Sequence, residues 1–303
     1  MRRFKPLRAV LSAAALPAEP MISLGRMLYF ETRLSQSNAV SCNTCHPLAN
    51  YGATQERTSI GIHGKKGSRN APTTYNAAGH FAQFWDGRSP NVEDQAKAPL
   101  VNPVEMGMAG PRVVSVLQGI PGYVAAFKAA YPEDPRPITF DHVGQALGAF
   151  ERGLVTPSRW DRYLVGDTTA LTEKEKEGLR LFTNLDCLVC HTGELVGGST
   201  FEKVGRMKAW PNQEDRGREG ITRQQVDGMT FKVPSLRNVA KTAPYFHDGA
   251  VATLDEAVRM MATYQLGEDL TDAEAEALVA FLGALTGELP LAYIAPPALP
   301  AGK

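Results

Sequence analysis

The sequence lacks an excess of charge of either sign and lacks long apolar runs. Its 32 basic residues balance 32 acidic residues, which disfavours a nucleic-acid binder or a charged solvating tail, because both depend on charge of one sign. No stretch approaches the roughly 18 to 20 consecutive apolar residues that a membrane-spanning helix needs. We therefore expect a soluble mature protein that binds no nucleic acid and has no membrane span.

Cysteine is also scarce, and four cysteines are too few to stabilise a chain of 303 residues as a disulfide scaffold. All of them lie in two CxxCH motifs, formed by Cys42, Cys45 and His46 and by Cys187, Cys190 and His191. In such a motif two thiols one helical turn apart can each add to a haem vinyl group, while the next imidazole binds the iron. Zinc knuckles would lie within a few tens of residues of each other, and a thioredoxin-like motif would need a βαβ context. The sequence therefore predicts two covalently bound haem c groups.

Residues 1–19 resemble a short export signal. A basic start with Arg2, Arg3, Lys5 and Arg8 precedes an apolar run at residues 9–16. So short a run is also compatible with a truncated gene start, an expression remnant or a disordered N-terminus. Because c-type haems are attached outside the cytoplasm, the two CxxCH motifs predict a bacterial periplasmic location more directly than the N-terminus does.

The fold class is predicted to be mainly α, with long Gly- and Pro-rich loops and little sheet. Three helix starts carry a Thr followed three residues later by a Glu, a spacing that lets the two side chains cap each other's amides. These pairs are Thr172 with Glu175, Thr253 with Glu256, and Thr271 with Glu274. Apolar periodicity predicts further helices over residues 113–120, 123–131 and 140–154. From Leu289 onward we expect an extended, Pro-rich surface tail.

An internal repeat relates the two halves of the chain. Pro72, Asn76, Ala78, Phe84, Asp86 and Gly87 recur without a gap as Pro234, Asn238, Ala240, Phe246, Asp248 and Gly249. The repeat predicts two cytochrome c-like haem domains related by duplication, at residues 20–158 and 159–303, with an insertion in the second. In this register Trp85 aligns with His247, which indicates different roles for the two halves.

Long runs of the chain resemble bacterial di-haem cytochrome c peroxidases. The resemblance extends from Gly25 to about Gly287. It is carried by GRMLYFETRLSQSNAVSCNTCH, RNAPT, FAQFWDGR, VEMG, PSLRNVAKTAPYFHDG and QLG. It implies a peroxidase that reduces hydrogen peroxide to water with electrons from a small cytochrome c or cupredoxin, and that is often a homodimer.

The resemblance assigns different ligands to the two irons. The first haem resembles a low-potential peroxidatic centre with His46 proximal and His63 as the distal ligand of the resting enzyme; His80 is the alternative. The second resembles a high-potential centre with His191 proximal and Met261, not Met260, on the other side. A thioether favours ferrous iron, so His/Met ligation raises the potential relative to two histidines. Met207 and Met229 are weaker alternatives.

The resemblance also implies three residues that take part in catalysis and one calcium site. Trp85 matches a tryptophan that bridges the haems, Glu105 an acid/base group, and Gln95 a hydrogen-bonding neighbour of that group. The calcium ligands would be Asn70, Thr242 and Pro244, partly through backbone carbonyls, which leave no chemical trace in a sequence.

Two other functions remain open from the sequence. A di-haem electron carrier would have two permanently six-coordinate irons, whereas a catalyst needs a vacant or displaceable sixth ligand. An oxygenase-like relative acting on a protein substrate would be indicated by Tyr at position 261, where this chain has Met261.

Overall fold

The computed structural model describes residues 3–7 and 16–302 and is mainly helical, which confirms the predicted fold class. In this part of the chain the only sheet has two antiparallel strands, with Phe201 opposite Lys232 and Lys203 opposite Thr230. The strands are β1 (Phe201–Lys203) and β2 (Thr230–Lys232), both between the second CxxCH motif and the repeat, where the sequence predicted an insertion. The helices are α1 (Glu19–Phe30), α2 (Cys42–Cys45), α3 (Val92–Val101), α4 (Gly110–Gln118), α5 (Pro121–Ala130), α6 (Phe140–Glu151), α7 (Arg159–Leu164), α8 (Glu173–Asn184), α9 (Glu219–Thr222), α10 (Leu254–Met261), α11 (Asp272–Ala284) and α12 (Leu291–Ile294).

The chain divides into two compact units, each with one CxxCH motif and its own hydrophobic core. We call the unit with Cys42 the first unit and the unit with Cys187 the second unit. The first unit consists of Val10–Ala78, Ser89–Val155 and Leu289–Lys303; the second consists of Met1–Ala9, Gly79–Arg88 and Thr156–Glu288. The segment Gly79–Arg88, which contains Trp85, thus belongs to the unit of the second motif.

Each unit is built around a close crossing of two helices. In the first unit Gly25 of α1 lies against α6, where an added Cβ would stand 1.8 Å from the Ala146 carbonyl oxygen. In the second unit Gly178 of α8 lies against α11, where an added Cβ would stand 1.9 Å from the Ala277 carbonyl oxygen. Only glycine fits at either crossing, so the duplication is visible in packing as well as in sequence.

The repeat also has the same backbone conformation in both copies. Asn76 and Asn238 have φ of 60° and 62°, and Phe84 and Phe246 have φ of 66° and 68°. Such a left-handed conformation is rare for a bulky aromatic residue, and it requires surrounding contacts to hold it. Its recurrence shows that both copies form the same turn.

The predicted helix starts are observed. Thr172 and Thr271 form reciprocal capping boxes with Glu175 and Glu274, whereas Thr253 accepts from the Glu256 amide without a reciprocal bond. The stretches predicted at 113–120, 123–131 and 140–154 correspond to α4, α5 and α6 with shifted ends. None of the described helices could cross a membrane alone; the bent pair α4 and α5 together meets the length and composition criteria.

The expected extended surface tail is wrong for α12. Ile294 is 6% exposed and joins the core of the first unit, and the Tyr293 ring stacks on Phe150 at 5.1 Å. Burial of the aromatic Tyr293 and the branched Ile294 favours packing of this segment against the core. Of the predicted signal segment, residues 1–2 and 8–15 lie outside the described residues.

Candidate active site

The first CxxCH motif forms α2 and the residue that follows it. Ser41 and Thr44 cap this short helix reciprocally, and the His46 amide donates to the Cys42 carbonyl over 2.8 Å. Cys42 and Cys45 therefore lie one turn apart, and His46 directly follows the turn. This is the spacing needed to attach a haem through two thioethers and to offer an imidazole to its iron.

The imidazole of His46 is oriented by backbone groups. Its Nδ1 donates to the Gly52 carbonyl oxygen over 3.2 Å, and the Tyr29 hydroxyl donates to the His46 carbonyl over 2.9 Å. Burial lowers the pKa of His46, so the ring is neutral at neutral pH. Because Nδ1 is engaged, Nε2 is the nitrogen that can bind iron.

The second motif has the same arrangement in the second unit. The His191 amide donates to the Cys187 carbonyl over 3.0 Å, and Nδ1 of His191 donates to the Val196 carbonyl over 3.3 Å. Burial lowers the pKa of His191 to about 4. Both proximal histidines are thus held as neutral rings with Nε2 left for a metal.

The four thiols are present as free cysteines, as covalent haem attachment requires. Burial raises the pKa of Cys45 and of Cys187 to about 11, so both are protonated at neutral pH. Two thiols and one neutral imidazole at each motif match the groups that a c-type haem uses. The residues therefore fit one covalent haem in each unit.

Glu105 lies in the turn after α3, in the unit of the first motif, and its carboxylate is held by Asn102. The Asn102 side-chain amide donates to Oε1 of Glu105 over 2.7 Å, and its oxygen accepts from the Val104 amide over 3.0 Å. Glu105 is half-buried. A carboxyl group fixed by a neighbouring amide is suited to transfer a proton along one direction. Gln95 lies half-buried on α3 in the same unit.

His63 lies in an exposed turn that contacts the turn of Glu105. Its φ is 55°, a left-handed conformation, and Gly64 beside it has open space around its Cα. Gly61, in contrast, is buried, and an added Cβ there would stand 2.0 Å from the Val104 carbonyl oxygen. The turn is thus fixed by close contact at Gly61, whereas Gly64 has no neighbour that would restrict it.

Met261 is the last residue of α10, in the same unit as His191. Its neighbour Met260 packs against two hydrophobic clusters, one around Trp210 and Phe231 and one around Tyr245 and Val251. Met261 belongs to neither cluster. Met260 therefore has a packing role, and Met261 is half-buried at the end of the helix. Of the alternatives, Met229 is buried in the Trp210 cluster and Met207 is 63% exposed.

Trp85 and His247, which the repeat aligns, are neighbours in the second unit. Their rings meet edge to face, with centroids 6.4 Å apart, and His247 also stacks on Phe231 at 4.2 Å. The Trp85 carbonyl accepts from the Lys232 amide of β2 over 2.7 Å. Trp85 is thus held by both a ring contact and the strand backbone.

His80, the alternative to His63, also packs within the second unit. Lys232 donates from Nζ to Nδ1 of His80 over 2.9 Å, and Gly198 leaves no room for a Cβ beside the ring. Burial, followed by the Lys232 charge, lowers the pKa of His80 well below its usual value.

The predicted calcium ligands have separate local environments. The Asn70 amide nitrogen donates to the carbonyls of Glu56 and Arg57, both over 3.4 Å, and the Thr242 hydroxyl donates to Val239 over 3.4 Å. Pro244 follows a cis peptide bond. Among the described residues, no group of three or more His, Cys, Asp or Glu side chains could hold a metal ion.

Two residues near the first motif were missed from the sequence. Asn102, which holds Glu105, could have been suspected from its position three residues before that carboxyl group. Glu151 of α6 is 4% exposed; burial, with a smaller effect of Glu93, raises its pKa to about 8. After burial, which is the larger cause, the Glu151 carboxylate also raises the pKa of Cys42 and of Tyr29. No local sequence pattern signals a carboxyl group buried in this way.

The comparisons with known proteins match both units. The family model described as di-haem cytochrome c peroxidase matches residues 19–169, and a cytochrome c model matches residues 175–286. The cytochrome c551 peroxidase of Pseudomonas aeruginosa is 42% identical over 295 residues, covering 95% of this chain and 85% of the relative. The namesake enzyme of Nitrosomonas europaea is 41% identical, covering 94% of this chain and 84% of the relative.

A solved structure agrees with this. A MauG-like protein associated with microbial copper homeostasis has a TM-score of 0.83 and 30% identity, and the match covers 98% of both chains. Sequence, fold and the two haem motifs lead to the same assignment. The chain therefore belongs to the di-haem cytochrome c peroxidase family.

Proposed function

We propose that this chain reduces hydrogen peroxide to two water molecules, consuming two protons and two electrons. The observation that carries the proposal is the Glu105 carboxyl group, held by Asn102 in the unit of the first CxxCH motif. An electron carrier needs no such proton donor, whereas cleavage of the O–O bond does.

Haem bound at the two motifs supplies the iron that binds peroxide and the electrons that reduce it. Around the first motif, His46 would hold the iron through Nε2, and the Gly52 carbonyl accepts a hydrogen bond from its Nδ1. Glu105 moves a proton from one peroxide oxygen to the other, and Gln95 is its hydrogen-bonding neighbour. Asn102 keeps the Glu105 carboxylate in one orientation.

The second unit stores and passes on electrons. His191 and Met261 would be the iron ligands there, and their location in the same unit supports this pairing. Trp85 would carry electrons towards the first haem. Its ring contact with His247 in the second unit supports this role. The proposed peroxidatic domain is residues 20–158 and the proposed electron-transfer domain is residues 159–303, except that residues 79–88 and 289–303 each group with the other unit.

His63 is the displaceable ligand of the first iron in the resting state. Its turn is open at Gly64, which supports a ligand that can leave. A site with two histidine ligands has no position for peroxide, so His63 must dissociate before turnover. An electron that haem at the second motif would supply is the proposed trigger for release of His63.

The haem chemistry and the family support a proposal for the cellular setting. The protein functions in the periplasm and takes its electrons from a small cytochrome c or cupredoxin. It forms a homodimer and binds one calcium ion through Asn70, Thr242 and Pro244. Removal of calcium with a chelator and size-exclusion chromatography test these two properties separately.

Steady-state peroxide consumption by the holoenzyme with reduced cytochrome c tests the proposed function. The assay is run on the fully oxidised and on the half-reduced protein. We expect turnover in the half-reduced protein and a cyanide-sensitive visible spectrum. No turnover in either state, with spectra unaffected by cyanide, would identify an electron carrier instead.

The MauG-like structure keeps an oxygenase-like function as the second candidate. Met261 argues against it, because a Tyr ligand at this position is the expected mark of that branch. Oxidation of a protein substrate by peroxide, without a need for reduced cytochrome c, would favour the second candidate.

A further inference from the structure

Residues 3–7 are part of the hydrophobic core of the second unit. Phe4 and Leu7 are each 6% exposed, and the Phe4 ring meets Trp160 edge to face at 5.2 Å and Phe182 at 6.4 Å. The Arg3 and Lys5 side chains are exposed. Apolar residues point inward and basic residues outward, as in a segment that belongs to a folded domain.

The backbone of this segment is bonded to the two residues that follow His191. The Arg3 carbonyl accepts from the Gly193 amide over 2.9 Å and from the Thr192 hydroxyl over 2.5 Å. The Lys5 amide donates to the Gly193 carbonyl over 3.4 Å. These bonds form a short parallel bridge beside the second CxxCH motif.

A buried ion pair joins the same segment to the same loop. The Leu7 amide donates to Oδ1 of Asp161 over 2.5 Å, and Asp161 forms a two-bond pair with Arg237, which is 1% exposed. Burial would raise the pKa of Asp161, but the Arg237 guanidinium outweighs burial and lowers it. Arg237 also donates to the Glu194 carbonyl over 2.7 Å.

The loop of residues 192–196 is therefore held at Thr192 and Gly193 by the segment and at Glu194 by Arg237. Its last residue, Val196, carries the carbonyl that accepts from Nδ1 of His191. That hydrogen bond sets the orientation and basicity of the imidazole, and thereby the potential of an iron bound to it.

We infer that residues 3–7 are a permanent strap that positions His191 for the second haem. The strap packs as a structural part of the second unit. The basic residues Arg3 and Lys5 are exposed side chains of this strap.

The test compares Phe4→Ala with the matched control Lys5→Ala in the holoprotein with both haems. Phe4→Ala removes the buried ring, whereas Lys5→Ala changes an exposed side chain and keeps the backbone. We expect Phe4→Ala to change the reduction equilibrium of the second haem about tenfold, which is 59 mV for one electron. The first haem should not change. Exchange of the Gly193 amide should accelerate about 100-fold.

Phe4→Leu should restore the potential of the second haem and the exchange rate of the Gly193 amide. If Phe4→Ala does not fold, Thr192→Val replaces it and should give part of the change in potential. Unchanged second-haem potentials in Phe4→Ala and Thr192→Val would overturn the inference, as would equal shifts of both haems. Intact-mass analysis of protein isolated from the periplasm should show a chain that contains residues 3–7. A mature chain that begins near residue 20 and has the same two potentials would also overturn it.

Discussion

The Ile62 amide donates a hydrogen bond of 2.8 Å to the carbonyl of Glu105. This bond joins the turn of the predicted distal ligand, His63, to the turn of the predicted proton donor. Gly61 and Gly107 tighten the contact, because a Cβ at Gly107 would stand 2.5 Å from Cδ1 of Ile62. A movement of His63 that reaches Ile62 therefore also changes the position of Glu105.

Gly61→Ala should separate these two turns. The added methyl group would stand 2.0 Å from the Val104 carbonyl oxygen, so the backbone must shift, at a cost of about 1 to 3 kcal/mol in unfolding free energy. Peroxidase turnover should fall with it. The control is Gly283→Ala in α11, where nothing lies within 4 Å and helix propensity favours alanine. Equal unfolding midpoints for both variants would contradict the packing described for Gly61.

Glu105→Gln should slow peroxide cleavage without preventing peroxide binding. Loss of a general acid costs about 10² to 10⁴-fold in rate. Asn102→Ala should give a smaller loss, because it leaves the carboxylate in place but frees its orientation. Glu133→Gln, at an exposed position, is the control. Stopped-flow measurement at saturating peroxide separates binding from cleavage, and a wild-type rate in Glu105→Gln would remove this residue from the mechanism.

Met261→His should lower the potential of the second haem and reduce turnover, because an imidazole stabilises ferric iron more than a thioether does. Both haems should stay attached. Met260→Leu is the matched control, since Met260 packs against hydrophobic clusters and leucine preserves that role. Spectroelectrochemical titration distinguishes the two variants. If the potential of the second haem changes in Met260→Leu but not in Met261→His, then Met260 and not Met261 is the iron ligand.

His63→Gly should give a high-spin first haem and peroxidase activity that needs no prior reduction. The reason is that two histidine ligands leave no position for peroxide, and the variant removes one of them. The two turn arrangements of the wild type need to differ by only a few kcal/mol for one electron to switch them. Electron paramagnetic resonance of the oxidised variant and its progress curve test this. A lag that persists until half-reduction would contradict the role of His63.

Glu151→Gln should change how stability depends on pH. Burial and the Glu93 charge raise the pKa of Glu151 from 4.5 to about 8 in the folded protein, so the folded state holds a proton that the unfolded chain releases. The free energy of unfolding therefore falls as pH rises from about 4.5 to about 8, by up to about 1.4 kcal/mol per pH unit. Urea unfolding at pH 5, 6.5 and 8 should show a flatter profile in Glu151→Gln and an unchanged one in the exposed Glu133→Gln control. Identical profiles for wild type and Glu151→Gln would refute the raised pKa.

Features set by neighbouring residues could be predicted from the sequence. The thiol and imidazole spacing of the CxxCH motifs and the Thr172 and Thr271 caps depend on contacts within a few residues. Helix α1 was not predicted, because Ala18 at its start makes no side-chain cap. The crossings at Gly25 and Gly178 depend on partners far along the chain, and so does the raised pKa of Glu151.

The candidate site shows the same division. His46 and His191 could be assigned from their motifs, whereas Glu105, His63 and Met261 required the family resemblance and stay predictions. The Ile62 to Glu105 bond was outside the reach of a sequence argument, because backbone hydrogen bonds between turns have no residue signature.

The membership of residues 79–88 limits how the protein can be divided. Both copies of the repeated Phe-x-Asp-Gly turn, at Phe84 and at Phe246, lie in the second unit, and the tail Leu289–Lys303 lies in the first. The two haem lobes are therefore not two consecutive pieces of chain. A cut near residue 158 would leave the first piece with a turn that belongs to the other unit and without the Ile294 side chain of its own core. Removal of either half of the chain would therefore take residues from both compact units.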